Sequence, residues 1–339
     1  MLISAYSTRL EFVPHDFTPV DGHFRWHESG EQDAGFAASL SELEDYVSRA
    51  GVGQPAETVR LLIGHVRDTQ RSYSFTLDGA DPAQLARLTA WATEANAILV
   101  AEGALLDPAG RPLLAGAHGA PTGKVPLTPE STERAQTIRS WLASAHGLQI
   151  PGDLPPVRSA AETRTRDVSD VGLRIIGLVM TSDFASSVIA GSPLNQRAMQ
   201  AVFPHAMAAL PPTERELFNR RETGAARKLQ RRIEAANELL WAAGRTTLGW
   251  PTTDCHPTQV KDLVLRRGEQ GFLDGLRLRG TNELLDEYEC LSSLMWALNN
   301  QEALRPRVYS DADPRIVAQR LIALEWLLKP QLAWDDAQG

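Results

Sequence analysis

The sequence lacks the features that mark several classes of protein. It has two cysteines, Cys255 and Cys290, among 339 residues, too few for a disulfide scaffold and not in a zinc-binding pattern. Lysine and arginine number 34 against 42 acidic residues, a net charge of −8, which argues against a generally basic nucleic-acid-binding protein. The most apolar run, residues 175–182, ends at Asp183 and is far shorter than the roughly 20 residues that cross a bilayer.

Motifs of known chemistries are also missing. The chain has no Gly-x-Ser-x-Gly, no Gly-x-x-x-x-Gly-Lys-Ser/Thr and no glycine-rich dinucleotide fingerprint. Its first nine residues lack the basic and apolar regions of a signal peptide. We therefore predict a cytoplasmic protein with no metal, no cofactor and no membrane segment. Neither a reaction nor an oligomeric state follows from these features.

Charge and turn-forming residues divide the chain. Residues 1–120 hold 8 basic and 16 acidic side chains and so carry the whole net charge, whereas the remainder holds 26 of each. Residues 108–129 contain nine glycines or prolines in 22 positions, a density that opposes helix and strand interiors. We predict a small α+β domain over 1–120, a Gly/Pro-rich connector with one helix over 121–157, and a helical domain over 158–339.

The first domain has mixed hydrophobic periodicity. Residues 36–47 have helical spacing, and Asp81-Pro82 is typical of a helix start. Residues 58–67 and 72–77 are rich in β-branched and aromatic residues, which predicts two strands joined by a hairpin. The resulting order β-α-β-β-α-β predicts a ferredoxin-like α/β domain, an antiparallel sheet with helices on one face. The fold class as a whole is α+β, with a mainly α-helical second domain.

One predicted helix in the second domain, residues 225–243, has a basic face. At 100° per residue, Leu229, Ile233 and Leu240 share one side of this helix. The opposite side carries four cations: Arg227, Lys228, Arg231 and Arg232. Such a face binds phosphate groups or an acidic partner, or it is simply solvated, with Glu234 and Glu238 moderating its charge. Both interpretations stay open.

Two tryptophans stand at similar places in neighbouring helical patterns. Residues 234–242 and 289–297 share a glutamate, a leucine, a tryptophan and an alanine at matching positions, with Trp241 and Trp296 in register. A large indole buries much apolar area. We therefore expect both tryptophans to be buried anchors of their helices.

A short loop places three polar side chains in succession: Asp254, Cys255 and His256. These residue types can bind zinc or form a Cys–His nucleophile pair. The chain supplies no further zinc motif, however, and adjacent residues seldom point at each other. The alternative is an ordinary polar loop whose aspartate caps a turn.

The C-terminal segment combines a cation, an indole and two carboxylates: Arg320, Trp326, Asp335 and Asp336. A carboxylate that folds back onto Arg320 would form a charge-assisted pair. This pair would be either a structural clamp on the C-terminus or part of a charged pocket lined by tryptophan.

Several spaced motifs resemble one known family. They are residues 313–328 with Ala333-Trp334-Asp335-Asp336, the Leu-Leu-Trp-Ala-Ala-Gly ending of residues 239–244, and residues 278–286. Together, over about residues 160–336, they resemble an uncharacterised bacterial family, domain of unknown function 4272. The resemblance implies a mainly helical fold and no established activity.

From these features we predict a non-catalytic binding or protein-interaction factor, of accessory or immunity type, with another protein as its partner. Two alternatives stay open. One is a hydrolase-like enzyme with a site around Asp254, His256 and Asp335, which a shared concave pocket would indicate. The other is a nucleic-acid-associated protein that uses the basic helix face. An exposed apolar patch would instead indicate a partner protein.

Overall fold

The computed structural model describes residues 1–20, 22–28, 34–79, 81–115, 122–152, 154–300 and 310–337. The chain forms two compact units, one of Met1–Glu133 with Asp153–Glu162, and one of Arg134–Gly152 with Thr163–Gly339. The boundary expected at residue 120 lies outside the described residues, and the limits of the three predicted segments stay a prediction.

The N-terminal unit contains a five-stranded antiparallel sheet in the order β2-β3-β1-β4-β5. Its elements in chain order are β1 (Leu2–Ser7), β2 (Phe24–Glu28), α1 (Ala34–Ala50), α2 (Ala56–Arg67), β3 (Arg71–Thr76), α3 (Pro82–Glu94), β4 (Ala97–Ala101) and β5 (Ala104–Leu106). The second unit is largely helical. The predicted α+β class is therefore confirmed.

The strand predicted over residues 58–67 is wrong, because this segment lies within helix α2. Leu62 and Val66 are buried four residues apart with His65 beside them, so the apolar residues share one face of a helix. Here the tertiary environment outweighs the β-propensity of Val59, Ile63 and Val66. The expected hairpin between residues 67 and 72 is consequently absent.

The sheet carries helices on both faces, whereas the sequence predicted one. Helix α3 packs on the face of Ile3, Tyr73 and Phe75, while α1 and α2 pack on the opposite face, with Tyr6 and Ile98. The spatial order β4-β1-β3-β2 is that of a ferredoxin-like sheet. The helices α1 and α2 nevertheless follow β2 rather than β1, so the connectivity differs from the predicted pattern.

An aromatic cluster anchors the long connection from β1 to β2. Trp91 of α3 donates its indole N–H to the Val13 carbonyl at 2.9 Å, and Phe17 meets the Trp91 ring edge-on with centroids 5.5 Å apart. Tyr73 and Phe75 of β3 complete the cluster. These contacts fix residues 10–20 on the sheet without regular secondary structure of their own.

Residues 154–162 return to the N-terminal unit, where Glu162 fixes them. Its carboxylate accepts hydrogen bonds from Thr8 Oγ1 at 2.5 Å, Asn96 Nδ2 at 2.9 Å and Ser159 Oγ at 2.6 Å. Burial alone would raise the pKa of Glu162, but the hydrogen bonds from Ser159, Thr8 and Asn96 hold it below its ordinary value.

The second unit is built around one central helix, α5. The helices after β5 are α4 (Pro129–His146), α5 (Val168–Ile189), α6 (Gln196–Val202), α7 (Pro204–Ala208), α8 (Pro212–Arg220), α9 (Thr223–Leu229), α10 (Arg232–Ala242), α11 (Pro257–Leu265), α12 (Gly268–Leu273), α13 (Thr281–Asn299) and α14 (Pro314–Leu328). Helix α5 packs against α7 to α12. It is long and apolar enough to cross a membrane, yet 72% of its most apolar window is buried inside the protein, as in a core helix.

Two expectations for the helical unit are wrong. The single helix predicted over residues 225–243 is broken after Leu229 and resumes at Arg232. Trp241 and Trp296 are only half-buried, whereas Trp326 and Trp334 are 7% and 5% exposed. The motif shared by residues 234–242 and 289–297 thus places Trp241 and Trp296 near the ends of their helices, whereas the tryptophans near the C-terminus are buried in the core.

Candidate functional site

The four predicted cations do not form one exposed face. Arg227 and Lys228 are exposed on α9, but Arg231 lies at the helix break and bonds Asp254 at 3.2 Å. Arg232 points inward, with its guanidinium carbon 5.4 Å from the Trp334 ring centroid, and burial lowers its pKa. The helix break after Leu229 leaves Arg227 and Lys228 on α9 and Arg232 on α10.

The side chains of the polar loop also point to different places. Asp254 pairs with Arg231, and His256 is exposed at the start of α11. The Cys255 backbone N–H donates to Glu234 Oε1 at 2.6 Å, and burial raises the pKa of its thiol. In the part of the chain that the structure describes, no group of three or more His, Cys, Asp or Glu side chains could hold a metal ion.

The C-terminal segment is held by arginines that the sequence analysis missed. The guanidinium carbon of Arg174, on α5, lies 4.3 Å from the Trp334 ring centroid, and that of Arg166 lies 4.2 Å from the Trp326 ring centroid. Arg166 Nε also donates to the Trp326 carbonyl at 2.7 Å. These pairs join residues about 160 positions apart in sequence, so no local pattern could have indicated them.

The predicted partners of Arg320 are therefore wrong. Asp335 accepts the Thr213 backbone N–H at 3.1 Å, and Asp336 is exposed. Arg320 is 4% exposed on α14 and donates to the Gly249 carbonyl at 2.9 Å. Helix α14 packs against α10 and α13, and the Arg320 guanidinium lies near the Glu238 carboxylate of α10 instead.

The carboxylate nearest to Arg320 is that of Glu238, a fully buried residue of α10. Arg320 Nε and Glu238 Oε2 are 3.8 Å apart, beyond hydrogen-bond distance. Among the described residues, neither oxygen of Glu238 nor Arg320 Nε has a hydrogen-bond partner, and the same is true of Glu234 Oε2 one helical turn earlier. A buried polar group without a partner costs free energy, so this cluster is the least satisfied part of the helical core.

The environment of the Arg320 cluster favours protonated acids. Burial raises the pKa of Glu238 well above its ordinary value, the charges of Glu287 and Glu234 add to this, and Arg320 opposes it. Burial likewise raises the pKa of Glu287 and of the Cys290 thiol. Because the thiolate is the reactive form of cysteine, burial at this cluster disfavours the reactive form of Cys290.

Sequence reasoning assigned Glu234 and Glu238 to a solvated face. Every residue of α10 from Ile233 to Leu240 is buried, because α5, α11 and α14 all pack against this helix. A helical wheel cannot identify a polar side chain as buried when a helix is enclosed on all sides.

An exposed aromatic surface lies at the edge of the N-terminal sheet. Among the described residues, strand β2 pairs with β3 alone, and its residues after Phe24 are exposed. Trp26 on this strand is 46% exposed and Phe12 is 40% exposed, with ring centroids 5.8 Å apart. The Arg71 guanidinium carbon lies 5.3 Å from the Trp26 ring centroid and orients it. We call Phe12, Trp26 and strand β2 the aromatic edge.

The helical unit matches a known family model. The domain of unknown function DUF4272 matches residues 134–337, well over half of the chain. The chain belongs to the DUF4272 family. The match includes the Arg320 cluster and the C-terminal tryptophans, and it begins ahead of the segment 160–336 expected from the motifs. No curated protein and no solved structure matches the chain.

Proposed function

We propose that this DUF4272 protein is a non-catalytic binding factor, of accessory or immunity type, that holds a partner protein along its aromatic edge. The observation that carries the proposal is the exposure of Trp26 and Phe12 beside a strand with one neighbour. The edge of a sheet can pair with an added strand. Exposed tryptophans are enriched among the residues that dominate binding energy.

The charge of the N-terminal region defines the chemistry of the partner. Residues 1–120 carry 16 acidic and 8 basic side chains, so a basic segment is attracted and an acidic one is repelled. The bound segment is extended, lies against β2, and places an apolar side chain on Trp26 and Phe12. Both cysteines are free thiols, which suits a reducing cytoplasm.

A pull-down from the native host with quantitative mass spectrometry tests the proposal. The Trp26→Ala and Trp26→Lys variants remove the anchor, and the lysine also opposes strand addition. Trp141 is a matched control, because it is also 46% exposed but lies on α4. A partner that the wild type and Trp141→Ala retain, and both Trp26 variants lose, supports the proposal.

Direct titration with the purified partner then gives the size of the effect. We expect Trp26→Ala to cost about 2 kcal/mol or more of binding free energy. Equal retention by all variants, or a retained species that is nucleic acid, would contradict the proposal.

A further inference from the structure

A second surface feature lies in the helical unit, away from the Arg320 cluster. A cleft of about 560 Å³ is lined by three arginines, Arg245, Arg266 and Arg267. Arg266 and Arg267 are consecutive at the junction of α11 and α12, where Gly268 turns the chain with a φ of +66°. Glycine adopts this left-handed conformation without the steric cost that other residues meet. The turn keeps both arginines at the end of α11 beside the cleft.

The charges around the cleft do not cancel. Asp262 pairs with Arg266 at 2.6 Å, and Arg245 Nη2 donates to the Gly275 carbonyl at 3.2 Å, which uses one of its donors. Among the described residues, the Arg267 side chain has no hydrogen bond or ion pair. Three guanidinium groups against one carboxylate leave an excess of two positive charges, although residues 121–339 are neutral as a whole.

The cleft also has an apolar part. Phe272 of α12, which is 4% exposed, and Leu263 of α11, which is 46% exposed, both line it. Small-molecule sites typically enclose roughly 300–1,000 Å³ and combine an apolar wall with a few polar groups. The cleft has the size and the two kinds of surface that such a site needs.

We propose that this cleft binds a small organic phosphate, a phosphate monoester on an apolar or flat body. The guanidinium fork matches phosphate oxygens in a bidentate manner, and a phosphate monoester carries close to two negative charges at neutral pH. Arg267 contacts the phosphate with its free donors, Arg266 and Arg245 complete the positive rim, and the body lies on Leu263. The volume fits one small molecule, and the acidic chain as a whole repels a polyanion such as RNA.

Isothermal titration calorimetry of the full chain tests this inference with three probes: adenosine 5′-monophosphate, phenyl phosphate and inorganic phosphate. We expect at least one ester to bind at least about tenfold more tightly than inorganic phosphate, because only the esters have an organic group that can pack on Leu263. Tighter binding of the nucleotide would identify a nucleotide site, and equal binding of the two esters a site for simple apolar esters.

Charge-removing variants locate the bound phosphate. Arg267→Gln should weaken binding of the tighter ester about tenfold or more. Arg277→Gln removes the same charge from an exposed arginine that does not line the cleft, and it should leave the affinity unchanged. The inference is overturned if neither ester exceeds inorganic phosphate, or if Arg267→Gln and Arg277→Gln behave alike. Circular dichroism of both variants confirms that they are folded.

Discussion

The buried carboxyl of Glu238 leads to a pH dependence of stability with a definite sign. Burial raises its pKa well above the value in the unfolded chain. Between the two pKa values the folded chain therefore holds a proton that the unfolded chain has lost. The contribution to stability is fully present below the unfolded pKa, near 4.5, and is lost as pH rises through the folded pKa.

The magnitude follows from proton linkage. One proton held only by the folded chain lowers the free energy of unfolding by about 1.4 kcal/mol for each pH unit in this window. Glu238→Gln replaces the protonated acid with a neutral group of nearly the same shape. The free energy of unfolding of this variant therefore lacks the pH dependence that the Glu238 proton causes. We expect the variant to match the wild type near pH 5 and, up to the folded pKa of Glu238, to gain on it by about 1.4 kcal/mol for each pH unit.

Urea denaturation followed by far-UV circular dichroism, at several values between pH 5 and pH 8, measures this difference. Taking the difference at each pH cancels groups common to both proteins, including His65, whose pKa burial lowers. Glu216→Gln is the control, since its side chain is 60% exposed on α8. That substitution should change stability by no more than about 0.5 kcal/mol at any pH.

An ionised pair of Glu238 with Arg320 would give the opposite result. Glu238→Gln would then leave a buried guanidinium without its counter-charge and would cost about 3–5 kcal/mol throughout the range. A difference that is constant with pH, or a large loss near pH 5, would refute the reasoning from desolvation.

Two further predictions concern the C-terminal tryptophan and the hydrogen-bonded Glu162. Trp334→Ala should lower the free energy of unfolding, measured in urea, by about 3–5 kcal/mol, because the ring is 5% exposed and lies beneath Arg174. Trp241→Ala should lower it clearly less, because Trp241 is only half-buried, and equal losses in the two variants would contradict this burial argument. Glu162→Gln should cost about 1–3 kcal/mol at pH 7, because the amide accepts fewer hydrogen bonds than the carboxylate. The pKa of Glu162 is lowered, so the carboxylate's contribution to the free energy of unfolding is present above pH 4.5 and is lost as pH falls through the folded pKa. If Glu162→Gln and the wild type unfold alike in acid, this carboxylate is not stabilising.

Short sequence motifs were sufficient to predict features that depend on contacts between neighbouring residues. The start of α3 follows from Asp81-Pro82, and in the structure the Asp81 side chain accepts the backbone N–H groups of Ala83 and Gln84 in the first turn. These interactions span two or three residues, so their energy is set by the sequence alone. The α+β class and the DUF4272 motifs are similarly encoded in periodicity and spacing.

Contacts between distant segments decided the rest. Residues 58–67 have the composition of a strand, but burial of Leu62 and Val66 beneath one face of the sheet makes them a helix. The aromatic edge was not anticipated, because the single neighbour of β2 follows from sheet order and not from its own five residues. An edge is a property of the assembled sheet.

The partners of Arg320 show the same division most clearly. The sequence by itself determined that a cation stands within α14, and that carboxylates occur both at Asp335 and on α10. Only the tertiary structure decided between them, by bringing α10 against α14 while Arg174 and Thr213 hold the segment that includes Trp334 and Asp335. The physical reason is that the free energy of a charge depends on distance and burial, and neither quantity can be read from a residue's position along the chain.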